Sequence, residues 1–162
     1  MLFRSWLDGE VATAGDTIAV LSALEQRRDD VRGGVPTLWP VHGPVTSPFG
    51  SRISPIGGEE REMHPGIDIS ARWGLPVTAA GNGTIVFAGR DGGYGGLVIV
   101  DHGAQISTLY GHLSALYVRE GQRVHRGQPL GAVGATGRAT GAHVHYEVRI
   151  AGSPVDPRRF LN

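Results

Sequence analysis

From residue 143 the chain reads HVHYEVRI, and its apolar positions, Val144, Tyr146, Val148 and Ile150, alternate with His143, His145, Glu147 and Arg149. A period of two is that of a β-strand with one face on a core. The alternation predicts a strand that holds His143 and His145 side by side on the other, open face. Earlier runs read the same way: GTIVFAG (83–89), LVIVDHG (97–103), QISTLYGHL (105–113) and ALYVREG (115–121). Between them, GRDGGYGG and GATGRATG read as loops that need positive φ or close backbone approach.

Helical spacing is found in residues 16–32, where Ile18, Leu21, Leu24 and Val31 recur, with Asp16 placed as an N-cap and Gly33–Gly34 as a stop. A helix this short is marginal alone. It either packs on the domain or is the stub of a longer coiled coil. VPTLWPVHGPV then reads as a Pro-rich linker. These signals divide the chain into an N-terminal extension, 1–38, and a mainly β domain, 39–162.

Composition narrows the chemistry. The formal charge is zero, so no net field favours nucleic acid or an anionic membrane. No apolar run approaches the roughly 18 residues of a membrane span. Asp8 and Glu10 interrupt the apolar core that a signal peptide needs, so no targeting segment is read. The chain either stays inside or begins downstream of an export signal. With no cysteine, any metal must be held by His and carboxylate.

Seven histidines are present, and four share contexts with room around the ring: His64 in MHPGIDIS, His112 in LYGHL, and His143 with His145. His64 and Asp68 are four apart, but Pro65 and Gly66 disfavour the helix that would align them. In an extended chain they would lie about 13 Å apart, too far to share one ion with bonds of about 2 Å. A shared metal therefore requires a bend at Pro65–Gly66. Zinc suits two His and one Asp, because catalytic sites use three such ligands and keep a position open. The remaining histidines would be free to move a proton or stabilise an oxyanion. There is no H-E-x-x-H and no G-x-S-x-G. GATGRATG cannot serve as a P-loop, because the chain has no lysine and every basic residue is arginine.

TSPFGSRISPIGGEEREMHPGIDIS, the run GYGGLVIVDHGAQISTLYGHL through GAVGATGRATGAHVHYEVR, and SPVDPRRFLN together resemble the lysostaphin-type, or LytM-like, zinc endopeptidases. These cut peptide bonds in bacterial cell-wall peptidoglycan. The resemblance runs from about Trp39 to the C-terminus and rests on H-x-x-x-D, Y-x-H-L and H-x-H in order. It implies a small antiparallel β-sheet domain flooring a groove, related to the barrel-sandwich hybrid. It further implies one Zn2+ per chain held by His64, Asp68 and His145, with His112 and His143 as the catalytic histidines. His145 holds the metal in this reading, while His143 faces the attacking water. A cell-envelope location, periplasmic or extracytoplasmic, follows by resemblance, and the helix is a place for an envelope-protein partner.

Glu147 stays open between orienting a histidine and being a solvated neighbour of Arg149. His42, His102 and His125 match no ligand position and read as structural. A second function stands beside the first: a non-catalytic regulatory or wall-binding module acting on an amidase. The resemblance implies that members of that kind usually lack some of the five residues, all of which are present here. VREGQRVHRGQPLGAVG also resembles the half-barrel of biotinyl and lipoyl carriers, but those need a lysine, so only the fold can be shared.

Overall fold

The computed structural model describes residues 14–54 and 60–162. Within them lie one α-helix, α1 (Ala14–Gly34), and thirteen strands. The strands are β1 (Val45–Ser47), β2 (Gly50–Ile53), β3 (Arg61–His64), β4 (Ile67–Ser70), β5 (Pro76–Thr78), β6 (Gly83–Asp91) and β7 (Gly95–Asp101). They continue with β8 (Ile106–Leu113), β9 (Ala115–Leu116), β10 (Arg123–Val124), β11 (Pro129–Ala132), β12 (His143–Ile150) and β13 (Ser153–Val155). Strands β6, β7, β8 and β12 answer to four of the five runs read as strands in the sequence; the fifth, ALYVREG (115–121), is a strand only over Ala115–Leu116. The other strands are two to four residues long, too short to display a period.

The fold is mainly β, and every strand pair is antiparallel. The main sheet runs β1-β4-β12-β8-β7-β6-β10, with β13 also paired to β12. Strands β5-β11-β9 form a second sheet, and β2-β3 form a hairpin of their own. One face of the main sheet carries Ile67, Ile69, Val98, Val100, Tyr110, Val144, Tyr146 and Val148, all fully buried. Val77, Leu130 and Val133, from the second sheet and the residue that follows it, join the same core. Each such aliphatic side chain contributes about 1.5–3 kcal/mol on burial. The core thus fixes β4, β12 and β8 as a rigid floor.

The chain divides into two compact units, Met1–Asp30 and Val31–Asn162. In the first, Ile18, Val20, Leu21 and Leu24 are exposed. Asp16, expected at the N-cap, lies inside the helix, whose backbone is already helical at Ala14. At the other end a Cβ on Gly33 would lie 2.1 Å from Asn82 Nδ2, and one on Gly34 would lie 2.8 Å from the His102 carbonyl. The two glycines therefore let the chain approach closely as the helix ends.

Residues 35–45 are not a linker. Pro36, Pro40 and Val41 are buried, and Trp39 packs on the core. The segment bends repeatedly, and its backbone bonds the chain around β5: Leu38 N–H donates to Ala80 O at 3.1 Å, and Pro40 O accepts from Thr78 N–H at 2.9 Å. A Pro-rich run with apolar residues can thus serve as an irregular sheet edge.

Candidate active site

Register assembles the first part of the site. On β12, His145 lies opposite Asp68 of β4 on one side and opposite Gly111 of β8 on the other. These three positions share a face. A Cβ on Gly111 would come within 3.3 Å of Tyr94 and 3.4 Å of the His145 Cβ, so glycine leaves the space those rings occupy.

His64 arrives from the hairpin. Strand β3 ends at His64 and β4 begins at Ile67, so the chain turns at Pro65–Gly66 as the shared-metal argument requires. Gly66 passes so close to β12 that a Cβ would sit 2.3 Å from the Tyr146 carbonyl. The turn brings His64 Nε2 to 3.2 Å from Asp68 Oδ1 and 3.0 Å from His145 Nδ1. Asp68 Oδ1 and His145 Nδ1 are 2.8 Å apart.

The protons on these rings are placed by their other neighbours. His64 Nδ1 is 2.8 Å from the Pro48 carbonyl, which can only accept, so Nδ1 carries the hydrogen. His145 Nε2 is 2.9 Å from Glu147 Oε1 and donates to that carboxylate. In their neutral forms both rings consequently aim lone pairs at Asp68 Oδ1 and at each other. Three electron-pair donors with no proton among them repel unless a cation or an added proton joins them. Bonds of about 2.0–2.1 Å to a tetrahedral ion set its donors about 3.3 Å apart, a few tenths of an ångström wider than the spacing found. The donor set therefore fits a zinc-sized ion.

The face that alternation marks as open is covered. Glu147 has no exposed surface, and His145 retains only 5%. Tyr94, from the 92–94 turn, donates to Glu147 Oε1 at 2.7 Å, and Arg149 Nε donates to Oε2 at 2.7 Å. With His145 that makes three donors around one buried carboxylate, which explains why it remains ionised. Burial works to raise its pKa, yet the bonds from His145, Tyr94 and Arg149 lower it. Glu147 is thus both a partner of His145 and a neighbour of Arg149, and it is not solvated. Such a carboxylate fixes the tautomer and orientation of the histidine it holds.

His112 reaches the site through a bulge. Register shifts between Gly96 and Val98, whose partners on β8 are Leu113 and Tyr110. His112 occupies the extra position with φ of +62°, in the left-handed region unusual for a non-glycine residue. Unbroken alternation would turn it to the same face as Tyr110, into the core. The bulge instead sends Leu113 to the core and His112 toward His143, with ring centroids 4.6 Å apart. Thr136 anchors the bulge: its carbonyl accepts from His112 Nδ1 at 2.8 Å, and its hydroxyl accepts from Gly96 N–H and donates to the Leu113 carbonyl. Burial pushes the His112 pKa down to about 4.

His143 donates from Nδ1 to the Gly141 carbonyl at 2.8 Å, which leaves the Nε2 lone pair 3.8 Å from Asp68 Oδ1. The five histidine and aspartate positions singled out in the sequence therefore meet at one point. They line a groove of about 700 Å³. Arg52, Ile53 and Met63 of the hairpin and Tyr94, Arg138 and Thr140 of two loops complete it. GATGRATG is more than a turn feeding the last strand, since it lines the groove and supplies Thr136. His42 and His125 are exposed and, with His102, lie outside the groove.

Sequence reasoning did not find Arg52, Tyr94 or Thr136. Each acts through a contact distant in sequence: 16 residues from Arg52 to Asp68, 53 from Tyr94 to Glu147, 24 from His112 to Thr136. An aromatic residue set among glycines was the one available signal, at Tyr94.

A profile of Peptidase family M23 matches residues 62–157, a span that contains all five site residues. The chain belongs to peptidase family M23. This M23 chain is 50% identical over 117 residues to the DD-carboxypeptidase/endopeptidase Mpg of Neisseria meningitidis serogroup B, a match covering 72% of the chain and 27% of Mpg. It is 33% identical over 157 residues to the murein hydrolase activator NlpD of Salmonella typhimurium, covering 94% of the chain and 39% of NlpD. A zinc-containing peptidase from Vibrio cholerae has a similar structure, with a TM-score of 0.69, 34% identity, and coverage of 74% of this chain and 38% of that one. The M23 chain thus spans less than half the length of each of these relatives. The LytM-like resemblance of its motifs is the family found.

Proposed function

We propose that this chain is a zinc-dependent endopeptidase that hydrolyses peptide bonds of bacterial cell-wall peptidoglycan. The observation that carries the reading is the convergence of His64 Nε2, Asp68 Oδ1 and His145 Nδ1 at 2.8–3.2 Å, with both ring protons committed elsewhere. These three residues would hold the ion. Zinc, when bound, supplies Lewis acidity that polarises a peptide carbonyl and lets water attack near neutral pH.

The chain's own groups then handle protons. His143 and His112 each spend Nδ1–H on a backbone carbonyl and keep an Nε2 lone pair, so both act as bases in the neutral form. His143, whose Nε2 lies 3.8 Å from Asp68 Oδ1, accepts the proton of water and becomes an imidazolium. That imidazolium can deliver the proton to the departing amine. His112, held neutral by burial, stays a proton acceptor within reach of the same substrate. The likeness to Mpg supports a bond of the DD type as substrate, and the likeness to the murein hydrolase activator NlpD supports a cell-envelope setting.

The likeness to NlpD supports a second reading, a regulator of a murein hydrolase. The complete set of five residues favours catalysis. Purified chain should hold about one zinc and release peptide fragments from sacculi in a chelator-sensitive manner, read by mass spectrometry of muropeptides. Zinc-loaded protein that releases nothing, yet stimulates an amidase, would establish the regulator instead.

A further inference from the structure

We propose that Arg52 is a positioning residue of the metal centre, bracing the hairpin that carries His64 against the strand that carries Asp68. The inference rests on the metal reading above. Two of the three donors sit on the main sheet, but His64 sits on the separate β2–β3 hairpin. Their relative position therefore depends on whatever ties hairpin to sheet besides the Pro65–Gly66 turn.

Arg52 makes that tie with one planar cation. Its Nη1 donates to Asp68 Oδ2 at 2.9 Å and to the Ser47 hydroxyl on β1. Its Nε and Nη2 lie 3.0 and 2.9 Å from Glu62 Oε1. Glu62 is the residue directly opposite Arg52 in the hairpin, so the guanidinium is oriented from its own element and delivered to the neighbouring one. By engaging Oδ2, Arg52 confines Asp68 to Oδ1, the oxygen that faces both imidazoles. One-oxygen coordination keeps the protein donors at three and a fourth position open.

The sign of the effect separates bracing from simple charge. A guanidinium beside a ligand repels a dication, so electrostatics alone predicts that removing it tightens zinc binding. Bracing predicts the reverse, a loss of roughly 10- to 100-fold, as for other groups that orient metal ligands. Lysine keeps the charge without the planar fork, and should recover only part of the loss.

The test uses the full chain, stripped of metal and titrated with zinc against a chromophoric chelator, with the cobalt absorption spectrum as a report of coordination number. Arg52→Gln should bind zinc roughly 10- to 100-fold more weakly and show weaker cobalt bands, as Asp68 becomes free to engage through both oxygens. Arg52→Lys should fall between it and the wild type. Glu62→Gln, which loosens the guanidinium without removing it, should shift both readouts the same way by less. It decides the matter if circular dichroism shows Arg52→Gln unfolded. Zinc affinity equal to or tighter than wild type with an unchanged cobalt spectrum overturns the brace. Wild-type chain that binds neither ion overturns the metal reading, and the brace with it.

Discussion

His102 and the pair His64–His145 are all largely withdrawn from water, but their ring nitrogens end differently. His102 Nδ1 lies 2.7 Å from the Asn82 carbonyl, and Nε2 lies 2.8 Å from the Thr108 hydroxyl. Thr108 is 2.9 Å from the Tyr110 hydroxyl, which accepts from Ala80 N–H at 2.9 Å. Each hydroxyl has one proton, and one assignment leaves nothing unused. Ala80 donates to Tyr110, Tyr110 to Thr108, Thr108 to His102 Nε2, and His102 Nδ1–H to Asn82. At His64 and His145 the outer nitrogens are equally well satisfied, but the inner ones face each other and a carboxylate. A buried histidine whose chain of protons closes is structural. One whose lone pairs converge with no proton between them is built to receive something else.

The contrast is broken most severely at the site itself. His145→Ala removes a metal donor and one of the three hydrogen bonds to Glu147, so zinc should be lost and peptide release should fall to background. His143→Ala keeps all three donors, so it should retain stoichiometric zinc while turnover falls roughly 10²- to 10⁴-fold. Elemental analysis beside muropeptide release separates the two. If both variants lose metal equally, the division of labour within H-x-H is wrong.

Glu147→Gln comes next. It removes the charge that commits the His145 proton to Nε2 and leaves Arg149 without its carboxylate. Zinc affinity should drop roughly 10- to 100-fold, measured by chelator competition. Unchanged affinity would mean that Glu147 serves only packing.

How much of this was legible beforehand follows from the range of the interactions. The facing of Val144, Tyr146 and Val148 is a property of one strand, and period two reveals it. So is the bend at Pro65–Gly66, since two residue types without helical preference occupy it. Covering of the opposite face depends on Tyr94 from another element and on Arg149 folding back over Glu147, and no local pattern encodes that. His112 is the clearest case. Alternation along β8 sends it to the core, and only the bulge, paired across to β7 and held by Thr136, reverses it. The short strands β9 and β10 have two residues each and owe their existence to their partners.

The closed chain at His102 can be probed by pH. Burial lowers the His102 pKa from its ordinary 6.5, against the opposing pull of the Asn82 carbonyl and Asp101. The native state therefore resists a proton that the unfolded chain accepts. This contribution is complete above pH 6.5 and is lost as pH falls from there toward the native value. Denaturant unfolding of metal-free protein should show stability declining below that point, with a shallower decline in His102→Gln. Parallel curves for the two proteins would show that His102 does not titrate with unfolding.

The smallest effect sharpens the comparison most, because it sets two tyrosines of one core against each other. Tyr110 and Tyr146 are both fully buried, with ring centroids 5.4 Å apart. Tyr110 lies within the closed chain, whereas the Tyr146 hydroxyl has no hydrogen-bond partner among the described residues. Tyr110→Phe strands the Ala80 N–H and a Thr108 lone pair, and should cost about 1–3 kcal/mol. Tyr146→Phe removes a hydroxyl that was desolvated without compensation, so it should leave stability unchanged or raise it by about 1 kcal/mol. Thermal melts of the two variants supply the measurement. Equal destabilisation would mean that the rings' packing governs both positions, and that hydrogen-bond closure does not distinguish them.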